Sequence, residues 1–69
     1  MTLEDVFDSL PETVDIFLFT EEDDSCPVAV YDGRNSIDGR YNGRNVRFLT
    51  AMKGKVEVGV YGKKIEEMR

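Results

Sequence analysis

Histidine is absent from this chain of 69 residues. General acid–base or nucleophilic chemistry would therefore have to run on the single cysteine, Cys26, on Tyr31, Tyr41 or Tyr61, on lysines, or on paired carboxylates. None of these stands in a recognisable catalytic setting. Cys26 precedes Pro27 and closely follows Glu21, Glu22, Asp23 and Asp24, and a run of carboxylates disfavours the thiolate that a nucleophile needs. The chain reads as non-enzymatic, with Cys26 a buried or incidental side chain.

Metal and nucleotide chemistry can be tested by counting and spacing. One cysteine and no histidine cannot supply the four ligands of a structural zinc site, and a lone thiol cannot close an internal disulfide. Glu21-Glu22-Asp23-Asp24 has the composition of a hard-cation site, but in an extended loop adjacent acids alternate in direction, and a solvated hairpin tip is the expectation. Asp38 and Gly43 fit positions 1 and 6 of an EF-hand loop, yet Arg40 fills position 3 and Leu49 position 12, which rejects that motif. Neither glycine-rich phosphate motif occurs, so the glycines read as turn residues and no cofactor is expected.

Charge is the strongest signal. Residues 1–33 carry Glu4, Asp5, Asp8, Glu12, Asp15, Glu21, Glu22, Asp23, Asp24 and Asp32 with no lysine or arginine. Residues 34–69 carry all nine basic residues against Asp38, Glu57, Glu66 and Glu67, so the halves bear −10 and +5. Such an asymmetry implies an interaction surface or two halves that attract each other on folding. The basic half concentrates groups that nucleic acids contact: Arg34, Asn35, Arg40, Tyr41, Asn42, Arg44, Asn45 and Arg47. A net charge of −5 opposes long-range attraction to phosphate.

The elements that position these groups follow from pattern. Thr2 and Asp5 have capping-box spacing, and Val6, Phe7 and Leu10 recur at helical intervals, which predicts a helix over 3–10 ended by Pro11. Residues 13–19 are β-branched and aromatic and predict a central strand. Residues 28–31 return as its hairpin partner across the acidic tip. Asp32-Gly33, Asp38-Gly39 and Asn42-Gly43 read as tight turns, one of the three rather a bulge, separated by strand pieces at 34–37 and 40–41, with positive φ expected at Gly43. Residues 46–51 and 55–61 form the clearest hairpin, turning at Lys53-Gly54, with Val56, Val58 and Val60 on one face. Residues 63–69 are expected to add a final helical turn.

Together these predict a single α+β domain, an N-terminal helix on a four- to five-stranded antiparallel meander; the alternative is a small SH3-like barrel. A chain this short buries only about 60% of its unfolded surface, so its core is thin and homodimerisation is an open route to further burial. No apolar run approaches a membrane span and no secretory leader pattern opens the sequence, so a cytoplasmic protein is expected.

Two functions remain open. In the first, Glu4, Asp5, Asp8, Glu12, Glu21, Glu22, Asp23 and Asp24 form a working face that imitates phosphates and occupies a basic surface of a larger protein or nucleoprotein complex. Small phage inhibitors of the anti-CRISPR or anti-restriction kind share that size and charge, an analogy without a family match. In the second, Arg34, Arg40, Tyr41, Asn42, Arg44 and Arg47 bind nucleic acid directly. An accessory subunit of a larger assembly would be indistinguishable from the first by sequence.

Overall fold

Residues 1–22 and 25–65 are described by a computed structural model. Helix α1 spans Leu3–Ser9 and begins in the capping box that the sequence specifies: Thr2 accepts from the Asp5 N–H, and the Asp5 carboxylate accepts from the Thr2 N–H. Glu4 and Asp5 occupy its first turn, where the helix dipole favours negative charge. The strands are β1 (Asp15–Thr20), β2 (Ala29–Asp32), β3 (Val46–Met52) and β4 (Lys55–Val60).

Their spatial order is β2-β1-β4-β3, with β1 and β4 parallel at the centre and an antiparallel hairpin on each side. The protein is thus α+β, but its sheet is mixed rather than an antiparallel meander, and two open edges replace the closure of a barrel. The central strands carry the densest apolar runs, and parallel pairs are buried pairs. Ile16, Leu18, Val56, Val58 and Val60 line the covered face. Pairing β1 with β4 requires residues 33–45 to pass from one edge of the sheet to the other. That segment contains no strand; it holds a 3₁₀ turn at Arg34–Ser36 followed by successive turns.

The crossing segment closes the core beside α1. Leu3 and Phe7 from the helix, Tyr31 from β2 and Tyr41 from the crossing segment pack on Ile16, Leu18, Val58 and Val60. Phe7 meets Tyr31 edge to face with ring centroids 6.0 Å apart, a favourable arrangement for paired rings. Each fully buried side chain of this size contributes about 1.5–3 kcal/mol. Past the end of α1, Glu12 meets Gly33, whose φ is +81° and where a Cβ would lie 2.8 Å from the Glu12 carbonyl oxygen. The Arg34 N–H donates to that same oxygen at 3.0 Å, tying the helix exit to the crossing segment.

The second sheet face has its own small aromatic cluster. The Phe48 ring lies across Gly59 and against Phe19, with ring centroids 6.1 Å apart. A Cβ on Gly59 would overlap that ring, which explains a glycine inside a strand. Gly43 departs from expectation. The Arg44 N–H donates to the Tyr41 carbonyl at 3.1 Å, and positive φ falls at Gly33, Gly39, Gly54 and Gly62 but not at Gly43. A type I turn needs no left-handed residue.

Gly43 has no neighbouring atom that a Cβ would meet, so Gly43→Ala should leave stability within about 0.5 kcal/mol. Gly59→Val should cost about 1–3 kcal/mol because the Phe48 ring must be displaced. Thermal melts of the two variants check this difference.

Candidate functional site

The acidic residues fall into two groups with different work. On α1, Leu3, Val6 and Phe7 face the core while Glu4, Asp5 and Asp8 are exposed. Glu4 and Asp8 stand one helical turn apart, about 5–6 Å between Cβ atoms. No residue of α1 is basic. Glu12 continues the exposed acidic stretch past Pro11. The basic residue that reaches this face is Arg34, whose Nη2 lies 3.7 Å from Asp8 Oδ1, a solvent-exposed pair of small energetic consequence.

Glu21 and Glu22 are instead tied to the end of the chain. Their carboxylates accept from the backbone N–H groups of Gly62 at 3.1 Å and Lys64 at 3.0 Å, and the Glu21 N–H donates to the Gly62 carbonyl at 3.2 Å. They anchor segment 62–65 across the end of the sheet and are not a free row of charge. Asp23 and Asp24 lie outside the described residues, as do residues 66–69 of the expected C-terminal helical turn; residues 63–65 are not helical. The start of α1 lies at the same end of the sheet, because the Leu3 N–H donates to the Arg44 carbonyl and the Glu4 N–H to that of Asn42.

The basic segment is dispersed by the fold. Arg34 sits at the exit of α1. Arg40 bonds Asp38 through its backbone N–H, and its Nε and Nη2 both approach Asp38 Oδ2 at 3.0 Å. Tyr41 is only 2% exposed, and its hydroxyl accepts from the Ile65 N–H at 2.9 Å. It is a core residue without a free face on which a base could stack. The Arg44 guanidinium lies 4.9 Å from the Tyr41 ring centroid and donates to the Tyr61 and Lys63 carbonyls. Asn42 is half-buried, with its Oδ1 lacking a partner among the described residues. Arg47 lies on β3 beside the Phe48 ring, 5.8 Å from its centroid. Arg40 and Arg44 come together over the Tyr41 ring, 5.9 and 4.9 Å from its centroid.

Several features escape sequence reasoning. Tyr31 donates its hydroxyl to Asp38 Oδ1 at 3.0 Å. Burial, then that bond, pushes the Tyr31 phenol well above its ordinary value. Burial works to raise the Asp38 carboxyl, but hydrogen bonds from the Arg40 N–H, the Tyr31 hydroxyl and the Arg40 side chain outweigh it and hold the group below the usual 3.8. A cleft of about 320 Å³ opens between Thr20, Glu22, Cys26, Pro27, Val28 and Lys64. Thr20 Oγ1 is buried without a hydrogen-bond partner among the described residues, and Cys26 is exposed rather than buried. Among the described residues no three acidic or cysteine side chains gather in a way that would hold a metal. No helix among them is long and apolar enough to cross a membrane.

No protein-family model, curated protein or solved structure matches the chain. Its function must be argued from the geometry above.

A phenol whose pKa is raised in the folded state stabilises the fold below the unfolded value, and that contribution is lost as the pH rises through the folded one. The lowered Asp38 carboxyl contributes above its unfolded value and loses that contribution as the pH falls through the folded one. Tyr31→Phe should therefore cost about 1 kcal/mol at neutral pH and make the alkaline decline of the melting temperature shallower, as melts across the pH range would register. Removing both carboxylates in Glu21→Ala/Glu22→Ala should accelerate amide exchange at Gly62 and Lys64 while β4 stays protected. Hydrogen exchange read residue by residue distinguishes that outcome from global unfolding.

Proposed function

We propose that the protein is a non-enzymatic binding module that docks its acidic side on a basic surface of a larger protein or nucleoprotein complex. The observation that carries this reading is the outer face of α1, where Glu4, Asp5 and Asp8 are exposed on a helix with no basic residue and Glu12 extends the stretch. Helices are rigid presenters of charge, and carboxylates held a turn apart offer an array against which lysines and arginines can be placed. In its most concrete form the module stands in for nucleic acid and blocks the partner's groove, as a phage-type inhibitor of a nucleic-acid-handling complex would. An accessory subunit would use the same face.

The alternative, direct nucleic-acid binding through residues 34–47, draws less support. Tyr41 is buried, Arg44 is engaged with the Tyr61 and Lys63 carbonyls, and Arg40 is paired with Asp38. The hairpin tip is also reassigned within the leading reading: Glu21 and Glu22 support the fold, and α1 with Glu12 supplies the charge that a partner would meet.

Glu4→Lys/Asp8→Lys/Glu12→Lys reverses that face while sparing the capping box and the 62–65 anchor. The variant should fold, since exposed charges contribute little to stability. Partner binding should fall at least about tenfold, or 1.4 kcal/mol. Copurification of wild type and variant from the native cell, followed by titration of the recovered partner, reads this out. Tight, salt-sensitive gel shifts of the unmodified protein with DNA or RNA would contradict the proposal.

A further inference from the structure

The chain holds three asparagines, Asn35, Asn42 and Asn45, followed by Ser36, Gly43 and Val46. An asparagine loses its side-chain amide when the main-chain nitrogen of the next residue attacks Cγ, a reaction that helps make this residue type thermolabile. The attack needs that nitrogen unbonded and unhindered. Two of the three sites fail this requirement. The Ser36 N–H donates to the Gly33 carbonyl at 3.3 Å and the Val46 N–H to the Met1 carbonyl at 3.0 Å, and Val46 adds a β-branched side chain beside its nitrogen.

Asn42 meets the requirement. Main-chain N–H groups in folded proteins are paired as a rule, yet the Gly43 N–H has no acceptor among the described residues. Glycine sets no Cβ beside that nitrogen, and a Cβ built there would meet nothing within 4 Å, so the surroundings of Gly43 are open. Asn42 Oδ1 also lacks a partner among the described residues, and no bond to it must break before the carboxamide turns toward Gly43. The Asn42 N–H donates to the Gly39 carbonyl and the Asn42 carbonyl accepts from the Glu4 N–H. These bonds hold the main chain of Asn42 but neither reacting atom, its Cγ or the Gly43 nitrogen.

We propose that Asn42 is a site of spontaneous deamidation and that its isoaspartate product loosens the start of α1. The Gly43 nitrogen bonds to Asn42 Cγ and gives up its proton; the Cγ–Nδ2 bond breaks, and ammonia leaves carrying that proton. Water then opens the resulting succinimide ring. Addition at Cγ yields aspartate, and addition at the original main-chain carbonyl yields isoaspartate, in which the chain runs through Cβ and Cγ and is longer by one atom. The longer link falls between the Asn42 and Arg44 carbonyls, which accept from the Glu4 and Leu3 N–H groups. The two acceptors then lose their spacing, and the first turn of α1 loses its fit on the crossing segment.

Trypsin cuts after Arg34, Arg40, Arg44 and Arg47 and so leaves each asparagine in its own peptide, 35–40, 41–44 and 45–47. Folded protein held at mildly alkaline pH should accumulate aspartate and isoaspartate in peptide 41–44 by mass spectrometry, while the other two keep their amides. Gly43→Ala has room for its methyl group but sets a Cβ beside the nitrogen, and should slow the conversion several-fold. In the separated isoaspartate form, amide exchange should accelerate at Leu3 and Glu4 while β1 and β4 stay protected. Peptide 41–44 keeping its amide in the folded protein while it converts in denaturant would overturn the proposal. So would equal conversion of Asn35 or Asn45 in the folded protein, a Gly43→Ala variant that converts as fast as wild type, or unchanged exchange at Leu3 and Glu4 in the isoaspartate form.

Discussion

The parallel pairing of β1 and β4 is the constraint on which the rest of the structure depends. Ile16 lies beside Val56 and Leu18 beside Val58, and these four side chains are all 4% exposed or less. With those strands adjacent, the two hairpins must flank them, and thirteen residues must travel from one sheet edge to the other. The traverse converts Tyr41 into core and fixes Arg44 near the chain's end. It also ties the start of α1 to the 42–46 stretch through the backbone bonds at Leu3 and Val46. A meander would have left residues 33–45 free to form strands and would have spread their arginines along one surface.

This topology decides how the steep charge asymmetry is resolved. Across the divide at residue 33, the described residues include the exposed Asp8–Arg34 contact, and Arg40 also pairs with its near neighbour Asp38. Arg44 is engaged with carbonyl groups and the Tyr41 ring. The outer face of α1 exposes Glu4, Asp5 and Asp8 on a helix without a basic residue. At the C-terminal end of β1, Glu21 and Glu22 satisfy backbone donors of segment 62–65.

Much of the local structure was legible in the sequence. The capping box at Thr2 and Asp5, the acidic-tipped hairpin and the turn at Lys53-Gly54 all follow from short-range chemistry, in which neighbouring residues decide the outcome. Strand order did not follow from it, because the alternation of Val56, Val58 and Val60 tells which face is buried but not which strand lies beside them. The Gly-containing dipeptides read as hairpin turns or a bulge, yet Asn42 and Gly43 sit in a turn without positive φ inside the crossing segment. Tyr41 looked like a stacking residue because its neighbours are arginines, and only the crossing path places its ring inside. Glu21 and Glu22 are exposed, as the sequence suggests, but their second task was hidden because the backbone donors they meet, the N–H groups of Gly62 and Lys64, lie about forty residues away in the chain.

The central claim, that β1 and β4 lie side by side in parallel, is tested most directly by backbone nuclear Overhauser effects in uniformly labelled protein. The account predicts inter-strand amide and Hα contacts that advance together along Ile16–Val56, Phe17–Glu57, Leu18–Val58 and Phe19–Gly59. Contacts from β4 running only to β3, with residues 34–41 giving strand-like contacts to β2, would restore the meander and contradict the account.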